Sequence, residues 1–280
     1  MVLESIKIKW VEHRPYIAFL FGFCYTFVGY FIAEIFFKKY VSIAMLFLST
    51  LLVVPSLIKL LEIEEKRESK YGLKNFFIEH KDVVEAYVFL FIGLFLGYVL
   101  LGSIISPAEF GNVFKFQKEF LEGQEGLSTN LVKDFMEKPF EPSIGHVIAL
   151  VQNNVFVCII LFILSFFYGA GAIFLIILNA SVFASFIIMV AQYLAKNISS
   201  MVLMTSIFSV HMLPEVVGFL LAAISGGVVS KAVMREKISG KGFRNVIEDS
   251  LLLLIIGCVL IIIAAFLEVY ATTYLFKNFA

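Results

Sequence analysis

Apolar residues in this chain collect in long runs broken by short polar segments. Seven runs stand out, at approximately 16–37, 41–61, 83–105, 149–168, 171–195, 203–230 and 250–276. Each comes close to or exceeds the roughly 20 residues that a helix needs to cross a bilayer's hydrocarbon core. A helix is the expected form because it satisfies its own backbone hydrogen bonds where water is absent. The division between the fourth and fifth runs rests on YGAGA, 168–172, and a re-entrant or broken helix is the alternative there.

The polar positions inside the runs show which face of each helix turns inward. Polar side chains avoid lipid, and small residues let helix backbones approach. In the sixth run, His211, Glu215, Gly218, Ala222 and Ser225 fall on one helical face, with Gly226 and Gly227 behind them. Met212, Val216 and Phe219 fall on another. Pro214 lies beside the His/Glu pair, where it removes a backbone donor and crowds the Val210 carbonyl, so a kink is expected. The fourth run repeats the stripe with Asn154, Cys158, Leu161, Ser165 and Tyr168, and the fifth holds Asn179 near its middle. Gly257, Ile261, Ala264 and Glu268 share a face in the seventh. A shared polar centre is therefore expected, built by His211 and Glu215 with Asn154 and Asn179.

Between the third and fourth runs, residues 106–146 read as an external loop with short amphipathic helices. Phe110, Val113, Phe114, Gln117, Phe120 and Leu121 recur at helical spacing, and a second helix is expected around Leu131, Val132, Phe135 and Met136. Phe-rich segments of this kind suit the headgroup interface. The run EIEEKRESK, 62–70, alternates charge and continues the second helix as the start of a solvated linker. In the third run, the Gly93/Gly97 spacing fits either dimerisation or packing within one chain.

Composition agrees with this pattern and excludes several classes. Of 280 residues, 60% are hydrophobic and 16% charged, and the net charge is zero, which offers nucleic acid no basic surface. Cys24, Cys158 and Cys258 all lie inside apolar runs and form no metal-binding pair. The fold class is thus an all-α polytopic transmembrane bundle of about seven spans. Its parts are an N-terminal hairpin (1–62), a charged linker (63–82) and a core (83–280). Fourteen of the 22 Lys and Arg residues fall on the N-terminal side of the membrane, which places the N-terminus in the cytoplasm of a cell-membrane protein.

The segment NNVFVCIILFILSFFYGAGAIFLIILNASVF (153–183), then HMLPE (211–215) and SGG (225–227), resembles the stage II sporulation protein M family of prokaryotic membrane proteins. The matching positions are Asn154, Gly169, Gly171, Asn179, His211 and Glu215, with Gly226 and Gly227 following. The family often carries Gly after the His and after the middle Asn, where this chain has Met212 and Ala180. The likeness covers about 83–276 and leaves out the hairpin. It implies a multi-pass partner of cell-wall hydrolases that holds a complex at the membrane.

No His-Glu-x-x-His and no Gly-x-Ser-x-Gly occurs, and two ligands at i,i+4 fall short of a zinc site. No catalytic residue, metal or cofactor is expected, and the chain is read as a non-enzyme. The leading expectation is a scaffold or subunit of a membrane complex, assembled with copies of itself or with other membrane proteins in the lipid bilayer. The alternative is a secondary transporter or channel with a buried His/Glu/Asn site. A metal-dependent intramembrane enzyme ranks third and would need a further ligand, such as Glu268 or His146. Seven spans imply that the protein stays with membranes through an alkaline carbonate wash and needs detergent for release. Recovery in the wash supernatant would contradict them.

Overall fold

The computed structural model describes residues 14–73, 76, 80–123, 142–168, 171–194 and 198–279. Its helices are α1 (Ile17–Phe36), α2 (Val41–Tyr71), α3 (Lys81–Ile104), α4 (Pro107–Val113) and α5 (Lys115–Gly123). They continue as α6 (Ile144–Tyr168), α7 (Gly171–Leu194), α8 (Ile198–Arg235), α9 (Lys241–Phe266) and α10 (Thr273–Phe279). A π-helical turn, Leu267–Thr272, joins the last two, and no strand occurs among the described residues. Seven helices are long and apolar enough to cross a membrane, as the sequence pattern requires.

Close backbone approach governs how they pack. α1 lies against α3, and a Cβ added at Gly93 would sit 2.1 Å from the Phe19 carbonyl oxygen. Gly22 answers from the other helix, where a Cβ would lie 2.5 Å from the Leu90 oxygen. The Gly93/Gly97 pair therefore serves packing within the chain. α8 occupies the middle of the bundle and touches α2, α3, α6, α7 and α9.

At 1.5 Å per residue, the 31 residues of α2 and the 38 of α8 reach about 46 and 57 Å, well beyond a hydrocarbon core of about 30 Å. The surplus of both lies at the end where charged residues cluster. α2 indeed continues through the charge run, but one face of that run is not solvated. Leu57, Leu60 and Leu61 are followed on the same buried stripe by Glu64, Glu65 and Glu68, which pack against the ends of α8 and α9. Arg235 of α8 meets Glu62 at 3.2 Å and Glu65 at 3.4 Å. Gly72 ends α2 at φ +59°, the left-handed conformation that glycine adopts without strain.

The opposite end is closed by α4 and α5. Ser106 and Glu109 form a reciprocal capping box at the start of α4. The Ser106 backbone N–H and hydroxyl, both donated to Glu109, hold that carboxyl below its usual range. Phe110, Val113 and Phe114 are buried, and Phe114 stacks on Phe110 and meets Tyr98 edge-on. Gln117 is fully buried, accepting from Ser42 at 2.7 Å and donating to Ser181 at 3.2 Å. The amphipathic face thus packs against the bundle, where Gln117 finds hydrogen-bond partners on α2 and α7. Phe120 stays exposed. The second helix expected around Leu131–Met136 lies outside the described residues.

Gly93→Val inserts side-chain atoms where backbone stands. It is expected to destabilise the bundle by about 1–3 kcal/mol in detergent thermal unfolding. Gly111→Ala, at a position with open space, should leave the midpoint unchanged.

Candidate functional site

The face of α8 bearing His211, Glu215, Gly218, Ala222 and Ser225 turns into the protein, and its partner is α9 with its continuation. At the middle of the stripe, Gly218 and Gly257 meet backbone to backbone. A Cβ on either would come within 2.8–2.9 Å of the other's carbonyl oxygen. Ser225 donates to the Ser250 carbonyl at 2.7 Å. On the neighbouring face, a Cβ at Gly226 would fall 2.2 Å from the Phe162 oxygen of α6, and one at Gly227 would meet Leu61 and Ser165. Ser165 closes that contact by donating to the Ala223 carbonyl at 2.6 Å.

Further along the same stripe, the ionisable groups converge. His211 and Glu215 are only 9% and 8% exposed, and Glu268 of the π turn reaches them from the last span. One ligand atom from each of the three lies within 4.8 Å of the other two. His211 Nδ1 and the Thr272 hydroxyl share a hydrogen bond of 2.9 Å. Phe208 walls the site, meeting His211 edge-on and touching Phe186 of α7 and Phe276 of α10.

The π turn is what aims these groups. Glu268 and Thr272 are four residues apart, and the widened turn keeps both on the face that carries Gly257, Ile261 and Ala264. The Thr273 hydroxyl donates to the Glu268 carbonyl at 3.4 Å, occupying an acceptor within the irregular turn. π turns of this kind recur at functional sites. Two ionised carboxylates within 4.8 Å of each other would repel by roughly 3.5 kcal/mol or more at an effective dielectric of 20. Side by side they therefore call either for a proton held by one of them or for a metal cation between them. His211, Glu215 and Glu268 supply the nitrogen and oxygen donors that such a cation takes.

The two expected asparagines are not hydrogen-bonded to the pair among the described residues. Asn154 is buried but accepts from its neighbour Asn153 at 3.1 Å, and no hydrogen bond among the described residues ties it to His211 or Glu215. Asn179 is half-buried on α7 and likewise makes no hydrogen bond to the pair. The seventh span adds Glu268 and Thr272 to the polar centre, and the Gly218/Gly257 contact lets α9 come close to this stripe. Cys158, Leu161 and Ser165 are buried as their spacing implies, whereas Tyr168 of the same stripe points outward. Pro214 sits inside α8, and a separate irregularity, the π turn, lies in the last span. Gly171 opens α7, and Gly169 lies outside the described residues. Thr272 went unread, although it prolongs the Gly257–Glu268 face by one further turn.

A family model described as Stage II sporulation protein M matches residues 86–273. No curated protein and no solved structure matches the chain. The matched region contains His211, Glu215, Glu268 and Thr272, and it begins after α1 and α2.

Thr272→Val keeps the shape of the side chain but removes the partner of His211. It is expected to lower unfolding stability by roughly 1 kcal/mol in detergent, while Thr272→Ser restores it.

Proposed function

The chain belongs to the stage II sporulation protein M family, and from that premise we propose that it is a secondary transporter or channel for a cation, with protons exchanged at His211, Glu215 and Glu268. The observation that carries this reading is the convergence of the three ionisable side chains within the bundle. Such groups are costly within a membrane and typically mark ion or proton paths. The buried Glu215 and half-buried Glu268 form a graded pair from the interior toward the bundle surface, with His211 beside them as a proton carrier. The irregular turn next to them is the kind of broken helix that transporters place at their ion sites. The basic residues near the charged end place the N-terminus on the cytoplasmic side in this reading.

A scaffold role is the second reading, supported by a different feature. α6 exposes Gln152 and Asn153 beside Phe156 on a face left uncovered among the described residues. Amides inside a membrane serve as contacts between helices, so that face suits another copy or another membrane protein.

Proteoliposomes carrying the purified chain and an internal pH dye separate the two. Under an imposed membrane potential, the wild type should acidify or alkalinise the lumen at least ten times faster than empty vesicles. Glu215→Gln with Glu268→Gln should remove that flux without changing the gel-filtration profile. Flux equal to empty vesicles, or unaffected by the double variant, would overturn the transport reading. Efficient disulfide capture between Gln152→Cys copies in native membranes would then favour the scaffold.

A further inference from the structure

A second cluster of ligating side chains lies at the charged end, away from His211 and outside the family-matched residues. Glu64 and Glu68 sit one turn apart on α2, and His80 stands immediately before α3. All three are buried, and one ligand atom from each lies within 4.8 Å of the others. His80 Nδ1 is hydrogen-bonded to Glu64 Oε1 and stands 3.6 Å from Glu68 Oε1. That second oxygen has no hydrogen-bond partner although Glu68 is only 1% exposed, and it points into the cluster. The other Glu68 oxygen accepts from Ser250 at 3.5 Å.

The local charge is strongly negative. Asp249 of α9 is buried alongside and adds its charge to that of Glu64 at Glu68. Several basic side chains of the described residues are directed to other acids. Lys231 and Arg235 meet Glu62, Arg235 also meets Glu65, and Arg67 reaches Asp82. Burial beside Glu64 and Asp249 pushes the Glu68 carboxyl well above its usual range, so the cluster takes up either a proton or a cation.

We propose that Glu64, Glu68 and His80 form a binding site for one divalent transition-metal cation of the zinc or manganese type, which clips the end of α2 to the start of α3. The donor set is one imidazole nitrogen and two carboxylate oxygens, a mixed set whose imidazole suits zinc and whose carboxylates suit manganese. Ligands 2.0–2.2 Å from a tetrahedral ion stand about 3.4 Å apart, close to the 3.6 Å separating His80 Nδ1 from Glu68 Oε1. Glu64, hydrogen-bonded to the same nitrogen, draws back as the ion replaces the proton between them. Ser250 on the outer oxygen of Glu68 supplies the supporting hydrogen bond that holds a ligating carboxylate in place. Phe76, packed edge-on against the His80 ring at 4.4 Å, fixes the imidazole and keeps water away.

The test uses the full chain in detergent, stripped with chelator and then titrated with Zn²⁺ or Mn²⁺ in isothermal calorimetry and by elemental analysis. The double variant Glu215→Gln/Glu268→Gln serves as the background, so that the membrane cluster cannot supply the signal. One equivalent of metal should bind and raise the thermal midpoint by several degrees. Glu68→Gln and His80→Ala on the same background should each lose that equivalent and that shift. Absence of stoichiometric metal, or binding unaltered in both variants, would overturn the proposal. If the variants do not purify, X-ray absorption on the metal-loaded background protein decides. Light N/O neighbours at 2.0–2.2 Å including one imidazole support the site, and any other first shell refutes it. None of these outcomes depends on transport activity.

Discussion

The bundle is organised by one constraint: a polar side chain on a membrane helix must find its partner inside the protein. On α8 that requirement falls on a single stripe, and the small residues in the same stripe let a partner helix come close enough to meet it. Gly218 against Gly257 sets the distance between α8 and α9. Ser225 with Ser250, and His211 with Thr272, are then placed on either side of that contact. The same logic operates between α6 and α8, where Gly226 abuts the Phe162 carbonyl and Ser165 bonds to Ala223. Steric closeness comes first, and polar pairing follows from it.

This arrangement concentrates chemistry where the backbone is least regular. The π turn carries Glu268 and Thr272, and both face the histidine and glutamate of α8. Apolar walls from Phe186, Phe208 and Phe276 surround the group, which strengthens any charge interaction within it. A lone histidine in such surroundings would be a structural residue. Two carboxylates beside it change the balance, since the group then has to accommodate a proton or a metal ion.

Much of this was legible in the sequence, because a helical period of 3.6 writes faces directly into residue spacing. The seven spans, the inward face of α8 and the buried face of α6 from Asn154 to Ser165 all follow from that period. What spacing does not encode is which helix a face meets. Spacing joined His211 and Glu215 to the asparagines of the fourth and fifth spans and left out Glu268 and Thr272 of the seventh, which meet them. Deciding that needed the Gly218/Gly257 approach, which is a property of two segments together. The π turn was hidden for a related reason: no proline or glycine marks it, and its register shift shows only in backbone geometry. The buried acids of α2 were hidden by their own character. EIEEKRESK reads as a solvated run, and only the continuity of Leu57, Leu60 and Leu61 with Glu64, Glu65 and Glu68 discloses that one side of it is interior.

Gln117 links two parts of different standing. Ser42 belongs to the hairpin that precedes the family-matched residues, and Ser181 belongs to the matched core, yet one buried amide is bonded to both. α1 is locked to α3 by opposed glycines, and α2 runs along α8 and α9. The hairpin is therefore joined to the remainder on several sides, independently of the peptide link near residue 72. Severing the chain there would leave two fragments still held together, as a protein in two pieces, and the hairpin is better regarded as an integral wall of the molecule than as an appended module.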